Sequence, residues 1–445
     1  MRFVCFTLLC SFIIGHTSAQ TEQLLARADS VSKWLASGRY ERVHDFFSPT
    51  LAKKLDKTQL SMIWLGLYKQ LGALQMVGKP TYRVDQNGPG FLIPLRFERK
   101  AQRLAIAFDS LNQINSFLLE EAEEAENWRY PAYGKPDLYH EFSMQIKHDT
   151  LVIPAILTLP KNLLGCPLVV FVHGLGPNDK DESQGPNKMF KDLAIGLASR
   201  GIASLRYDKR SLIYGPELME DLRRLNLQTE TIADAVEAIS MADNIVEVDT
   251  NRIFILGHGI GAMLAPEIAA QSRLPIRGLI LIAPSTKPLA ELIFEQYVFI
   301  AAENGFSKND LQLLKMQESA KKKALDPQLS PDYPGDSLPL RLPATYWLAW
   351  QQFDPAAALW QNNQPLLVLS GDADYQVPPE TMLAFKQKML GREKISYKAY
   401  TMLNHFMMPA QGARGPADYR RRNNVSLLVV EDISRWISEQ SLGKR

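Results

Sequence analysis

The side chains that could move protons or meet a developing charge gather in four short segments. His173-Gly174-Leu175-Gly176-Pro177 follows an apolar run at 167–172, and Gly257-His258-Gly259-Ile260-Gly261-Ala262 follows one at 252–256. Gly371-Asp372-Ala373-Asp374-Tyr375-Gln376-Val377-Pro378 follows a run at 365–370, and Leu403-Asn404-His405 stands near the C-terminus. These residue types serve acid–base chemistry: a histidine exchanges protons near neutral pH, and a carboxylate can orient it. Other chemistries are poorly supplied. His44, His140 and His148 have no metal-ligand spacing among them, and no H-E-x-x-H occurs, so no metal site is expected. Gly257-x-Gly259-x-x-Ala262 formally fits the dinucleotide fingerprint, but the next strand ends Ile282-Ala283-Pro284-Ser285 without the carboxylate that fingerprint needs. No cofactor is expected.

The elements around these segments define an α/β fold. Continuous apolar runs at 167–172, 203–207, 252–256, 278–283 and 365–370 alternate with helical stretches, the pattern of a parallel sheet buried on both faces. Each run ends in a polar or glycine-rich turn, where open α/β sheets place their ligands. Segments 141–146 and 151–159 read as antiparallel strands entering the sheet, 188–200 and 229–244 as crossover helices, and 425–440 as a closing amphipathic helix. Residues 284–354 are too many for a loop, and the helical stretches 289–304 and 308–325 suggest a cap. Tyr346, Trp347, Trp350 and Phe353 follow; they suit either a substrate pocket or the packing of cap on core. Asp179, Asp181 and Glu182 could meet a cationic substrate group or bond Arg206, Lys209 and Arg210 internally. Ahead of all this, 21–118 reads as a small α+β domain. Helices at 21–37 and 58–71 precede extended runs at 75–84, 90–98, 103–108 and 113–118.

The ordered set of turns resembles the α/β-hydrolase family, close to its secreted esterase and serine-aminopeptidase-like members, over about residues 139–440. The resemblance implies a mostly parallel sheet with helices on both faces and a helical cap. It implies that loop 173–177 is the oxyanion loop, with a backbone N–H near Leu175 as one donor and that of Ile260 as the other. Asp374 matches the catalytic acid, Asp372 standing two residues too early, and His405 matches the base. A small-molecule ester or amide is the implied substrate. The chain departs from the family at one position. The family's elbow reads G-x-S-x-G, whereas here Gly259 stands at the serine position, and no serine or cysteine occurs from 257 to 263. Glycine relieves the backbone strain of such an elbow, so folding should not suffer. Two outcomes are open: an acyl hydrolase with impaired turnover, or a non-catalytic ligand-binding pseudoenzyme. The helices-then-strands order of the first domain likewise resembles the cone-shaped folds found ahead of some secreted bacterial hydrolases.

Composition bounds the rest. Of 445 residues 46% are hydrophobic, which excludes a disordered chain, and 50 basic against 48 acidic residues leave no electrostatic case for a nucleic-acid partner. Arg2, the apolar run 3–14 and Thr17-Ser18-Ala19 form a signal peptide pattern with cleavage before Gln20, so a secreted or periplasmic protein, without membrane attachment after cleavage, is expected. Cys166 is then the one remaining cysteine, too few for an internal disulfide. The expected partition is a signal peptide at 1–19, the small domain at 20–120, an acidic linker at 121–138 and the hydrolase-like domain at 139–445, with its cap at about 285–354.

Overall fold

The computed structural model describes residues 18–442 except 79, 86–87, 99, 122–127, 149–150, 216–224, 411 and 413–414. The expected signal segment up to residue 17, and most of the acidic run 120–126, lie outside the described residues. The chain divides into two compact units, Met1–Ala125 and Glu126–Arg445.

The first unit begins with α1 (Ser18–Ala36), α2 (Tyr40–His44), α3 (Pro49–Lys54) and α4 (Lys57–Leu71). Strands β1 (Leu74–Val77), β2 (Thr81–Asp85), β3 (Gly88–Phe97), β4 (Ala101–Phe108) and β5 (Ile114–Glu121) then form an antiparallel sheet of order β1-β3-β4-β5, with β2 also pairing β3. Leu24, Ala28, Val31 and Leu35 put one face of α1 into the core. Asp56 and Gln59 close a capping box at the start of α4, which buries Leu60, Trp64 and Leu71. Phe91, Ile93, Leu95 and Phe97 alternate inward from β3. Two expectations are corrected. The single run expected at 75–84 is two strands, because the chain breaks around Gly78, whose missing side chain would lie 2.9 Å from the Pro94 ring. Glu120 and Glu121 end β5 opposite Arg103 and Gln102 rather than opening a linker.

The second unit is built on β6 (Tyr139–His148), β7 (Leu151–Pro160), β8 (Cys166–Val172), β9 (Ala203–Tyr207), β10 (Val248–His258), β11 (Ile276–Ile282), β12 (Leu366–Gly371) and β13 (Ile395–Tyr400). They form one eight-stranded sheet of order β13-β12-β11-β10-β8-β9-β7-β6. The β6–β7 and β7–β9 pairs are antiparallel, and all the others are parallel. Every residue of β8, β9 and β12 is buried, which is why these strands read as unbroken apolar runs. Alternate side chains serve opposite faces. Leu168, Val170, Ile255, Leu281 and Val368 enter one core, and Val169, Phe171, Phe254, Leu256 and Leu369 enter the other.

Helices cover both faces: α5 (Met189–Ala198), α6 (Ala233–Ser240), α7 (Ile260–Gln271), α8 (Leu289–Glu303), α9 (Lys308–Ala324), α10 (Ala344–Gln352), α11 (Pro355–Gln361), α12 (Pro379–Lys388) and α13 (Leu427–Leu442). The segment between β11 and β12 carries α8 to α11. Strand β13 was not foreseen. It lies at the sheet edge with all but Tyr400 exposed or half-exposed and so presents no apolar run. Among the described residues, no helix is long and apolar enough to cross a membrane.

Candidate active site

Strand β10 ends at His258 and helix α7 begins at Ile260, so Gly259 alone turns the chain, with φ 53° and ψ −114°. Its N–H donates to the Ile282 carbonyl at 3.0 Å, and its carbonyl accepts from the N–H groups of Ala262 and Met263. The three glycines of this turn differ in what they are for. A Cβ on Gly257 would lie 2.3 Å from the Gly261 carbonyl oxygen, and one on Gly261 would lie 2.3 Å from that of Val172. Both must be glycine for space. A Cβ on Gly259 would meet nothing closer than 3.7 Å. Its glycine answers to backbone angle, not to crowding.

The atom nearest to that Cβ position is Nε2 of His405 at 3.7 Å, followed by Cα of Gly174 at 3.8 Å. The Nδ1–H of His405 donates to Oδ2 of Asp374 at 2.7 Å, a tautomer set by the carboxylate, which leaves the Nε2 lone pair toward residue 259. Asp374 is held in turn by the N–H groups of Gln376 (2.7 Å) and Val377 (2.9 Å), both on Oδ1. Asp372 is engaged elsewhere, accepting the Met402 N–H. Leu175 follows Gly174 directly, and Ile260 opens α7. Among the described residues, no acceptor meets the N–H of either. His405, Asp374 and Gly174 thus lie around the position of Gly259, with Leu175 and Ile260 next in the chain to Gly174 and Gly259.

Trp347 and Trp350 do not join that group. Both are buried and line a cavity of about 490 Å³ under α10, to which none of those residues contributes. Cys166 is buried at the opposite end of its strand, its thiol hydrogen-bonded to the Glu247 carbonyl. Among the described residues, no group of three or more His, Cys, Asp or Glu could hold a metal ion.

The acidic residues after loop 173–177 are engaged within the fold. Asp179 accepts from Asp181 N–H, Ser183 N–H and Ser183 Oγ–H. Asp181 pairs with Arg206 at 3.0 Å and Lys188 at 2.8 Å. Lys209 pairs with Glu230 and donates to the Gly174 carbonyl, and Arg210 pairs with Asp234. Glu182 was expected to meet a cationic substrate group or Arg206, Lys209 and Arg210, but it is engaged by His258 and the Gly174 N–H instead. Its Oε1 accepts both the Gly174 N–H and His258 Nδ1–H at 2.8 Å, and His258 Nε2 lies 3.2 Å from the His405 carbonyl oxygen. One carboxylate thus ties the loop carrying Leu175 to the strand end before Gly259, and His258 ties that strand end to the His405 loop.

The electrostatics follow from burial. Burial opposes charge on both His258 and Glu182, but each ion stabilises the other, so His258 is raised and Glu182 lowered from their ordinary values. For His173 the charge of Glu182 does not offset burial. Burial drives its pKa down to about 4, and its Nε2 meets the Asp179 carbonyl oxygen at 3.1 Å, so it is a neutral structural residue.

The order of these groups along the chain defines the class. A sharp strand-to-helix turn at 259, then Asp374, then His405, each beyond the carboxyl end of a sheet strand, is the order of the α/β hydrolases. Residues 169–413 match the model of the Alpha/beta hydrolase family, and the chain belongs to that family. Residues 28–117 match a second model, described as a protein of unknown function (DUF3887). Esterase EstD of Thermotoga maritima is 30% identical over 403 residues, covering 91% of this chain and 92% of that protein. Among solved structures, Est1E from Butyrivibrio proteoclasticus is 21% identical over 67% of this chain and 99% of its own, with a TM-score of 0.44. An acylaminoacyl peptidase from Pyrococcus horikoshii is 14% identical over 80% of this chain and 48% of its own, with a TM-score of 0.42.

Proposed function

We propose that this chain is an acyl-hydrolase-type protein for small esters or amides whose nucleophile position is occupied by Gly259, so that turnover is impaired. One observation carries the reading: a Cβ at residue 259 fits, 3.7 Å from His405 Nε2. A hydroxyl on that Cβ comes within the ~2.6–3.2 Å reach of the histidine lone pair. In such a site the hydroxyl oxygen attacks the acyl carbon and His405 takes its proton. Asp374 holds the ring, and the Leu175 and Ile260 N–H groups receive the oxyanion. The alcohol or amine leaves with the proton from His405, and water then repeats the cycle on the acyl-enzyme. Without the hydroxyl, a water beside His405 is the remaining nucleophile. Oxyanion donors and binding alone sustain about 10³–10⁴ over the uncatalysed rate in disabled triads. The second reading, a ligand-binding protein without turnover, is favoured by the same glycine.

The test is hydrolysis of a short-chain chromogenic ester by the chain and by its Gly259→Ser variant. The variant should gain at least about 10²-fold over a near-zero parent, against a ceiling near 10⁶ from serine removal in a working triad. It should also be labelled by a phosphonate that ignores the parent. Rapid saturable turnover by the parent would overturn the assignment of residue 259.

Export is part of the same proposal, supported by Arg2, the apolar run 3–14 and Thr17-Ser18-Ala19. N-terminal sequencing of the protein recovered outside the cytoplasm should start at Gln20.

A further inference from the structure

Gly174 and Leu175 share one peptide, whose two polar ends differ. The Gly174 carbonyl accepts from the Lys209 ammonium at 3.0 Å and from the Asn178 side-chain amide at 3.2 Å. Among the described residues, the Leu175 N–H has no acceptor. A trans peptide is planar, with its C=O and N–H pointing in opposite directions. Whatever fixes the carbonyl therefore fixes the direction of the N–H.

This peptide needs a restraint of its own. The Glu182 contact leaves residue 174 room only for glycine: a Cβ there would lie 2.9 Å from Glu182 Oε1 and 3.2 Å from His258 Nδ1. Glycine leaves the peptide that follows it free to turn. Glu182 holds the Gly174 N–H, which belongs to the peptide before, not to this one. Lys209 stands two residues beyond β9, and β9 pairs in parallel with β8, so the sheet delivers it beside the loop that follows β8. Its backbone N–H donates to the Asn178 carbonyl at 3.0 Å. Its side chain is 1% exposed, with Glu230 Oε1 at 2.9 Å from Nζ balancing the charge. Glu230 has donors besides Lys209, the hydroxyls of Ser211 and Thr231, each at 3.2 Å.

We infer that Lys209 is a positioning residue of the oxyanion site, whose ammonium holds the Gly174–Leu175 peptide so that the Leu175 N–H stays turned to the acyl oxygen. The inference rests on the hydrolase reading above, which gives that N–H an oxyanion to meet. Lys209 touches no reacting atom. It acts through the amide, and a cation on the carbonyl also makes the N–H a stronger donor, because hydrogen bonds in series polarise one another. The effect is largest where the acyl oxygen becomes anionic, so it falls on kcat rather than on KM.

The experiment is ester hydrolysis in the Gly259→Ser background, with and without Lys209→Met, which keeps an unbranched side chain and removes the ammonium. A third chain adds Glu230→Gln to Lys209→Met, so that no uncompensated carboxylate stays buried. In both Lys209→Met chains kcat should fall at least about tenfold, towards the ~10²–10³ of deleting an oxyanion donor, with KM changed less than about threefold. Denaturant unfolding should show stability lost in Lys209→Met and recovered on adding Glu230→Gln, while kcat is not recovered. Recovery of kcat together with stability overturns the inference, because Lys209 would then serve only its ion pair. Unchanged kcat, or a loss carried by KM, in an otherwise active Gly259→Ser background overturns it as well. A Gly259→Ser chain that hydrolyses no ester overturns the hydrolase reading itself, and the inference falls with it.

Discussion

Gly259 and Gly261 stand two residues apart and should respond to side chains in opposite ways. At Gly259 the surroundings leave room but the backbone sits at φ 53°, so a side chain meets strain without collision. Gly259→Ser should cost about 1–3 kcal/mol, read as a lower denaturation midpoint with unchanged slope, while ester hydrolysis rises. Stability lost where activity is gained is the expected signature of an elbow. Gly261 is held by the close approach of α7 to β8, where even a methyl would lie 2.3 Å from the Val172 carbonyl oxygen and 2.6 Å from that of His173. Gly261→Ala should therefore destabilise by more than Gly259→Ser and lose the turn itself. If Gly261→Ala folds as stably as the parent, the close packing of α7 on β8 described above is wrong.

At the scale of elements, the site is held together by loops that the sheet alone does not fix. Glu182 adopts φ 49°, an uncommon angle for a side-chain-bearing residue, and its carboxylate bridges the loop after β8 to the end of β10. The pair contributes in a bounded pH window. Glu182 is lowered from its ordinary 4.5, so its contribution is present above 4.5 and lost as pH falls through the depressed folded value. His258 is raised from its ordinary 6.5, so its contribution is complete below 6.5 and lost as pH rises through the elevated folded value. The deficit of Glu182→Gln relative to the parent should be about 2–3 kcal/mol between pH 4.5 and 6.5 and shrink on either side, as measured by denaturant unfolding at each pH. A deficit that does not vary with pH would remove the ion pair from the account. The same elements show what a sequence discloses. Runs such as Val169-Val170-Phe171-Val172 announce a doubly buried strand, and the Gly257–Gly261 spacing announces a tight strand-to-helix turn. The pairing of Glu182 with His258 was not legible. The two residues are 76 positions apart, neither sits in a repeating pattern, and only the register of β8 against β10 brings them to 2.8 Å. Strand β13 was hidden for the opposite reason: an edge strand needs no apolar run.

In the second unit, Asp192 fastens segments far apart in the chain. It is fully buried at the start of α5. Its carboxylate accepts from the Trp128 indole N–H at 2.9 Å, the Asn424 amide at 3.1 Å and the Val425 N–H at 2.9 Å. The entry to the unit and the approach to α13 thus meet at one side chain. Burial outweighs these donors and raises the carboxyl to about 7 from its ordinary 3.8. The sign follows from proton binding. Between those values the folded protein holds a proton that the unfolded chain has released, so the contribution of Asp192 is complete below 3.8 and is lost as pH rises through 7. Asp192→Asn cannot ionise and removes this dependence. Measured against the parent at matched pH, the variant should gain in relative stability from pH 4 to pH 7, by about 4 kcal/mol at most, and change little beyond. Because the comparison is a difference between two otherwise identical chains, the Glu182–His258 pair cancels from it. A relative stability that stays flat from pH 4 to pH 8 would mean that the donors from Trp128, Asn424 and Val425 keep Asp192 ionised throughout, making it a permanent anionic clasp instead of a proton-linked one.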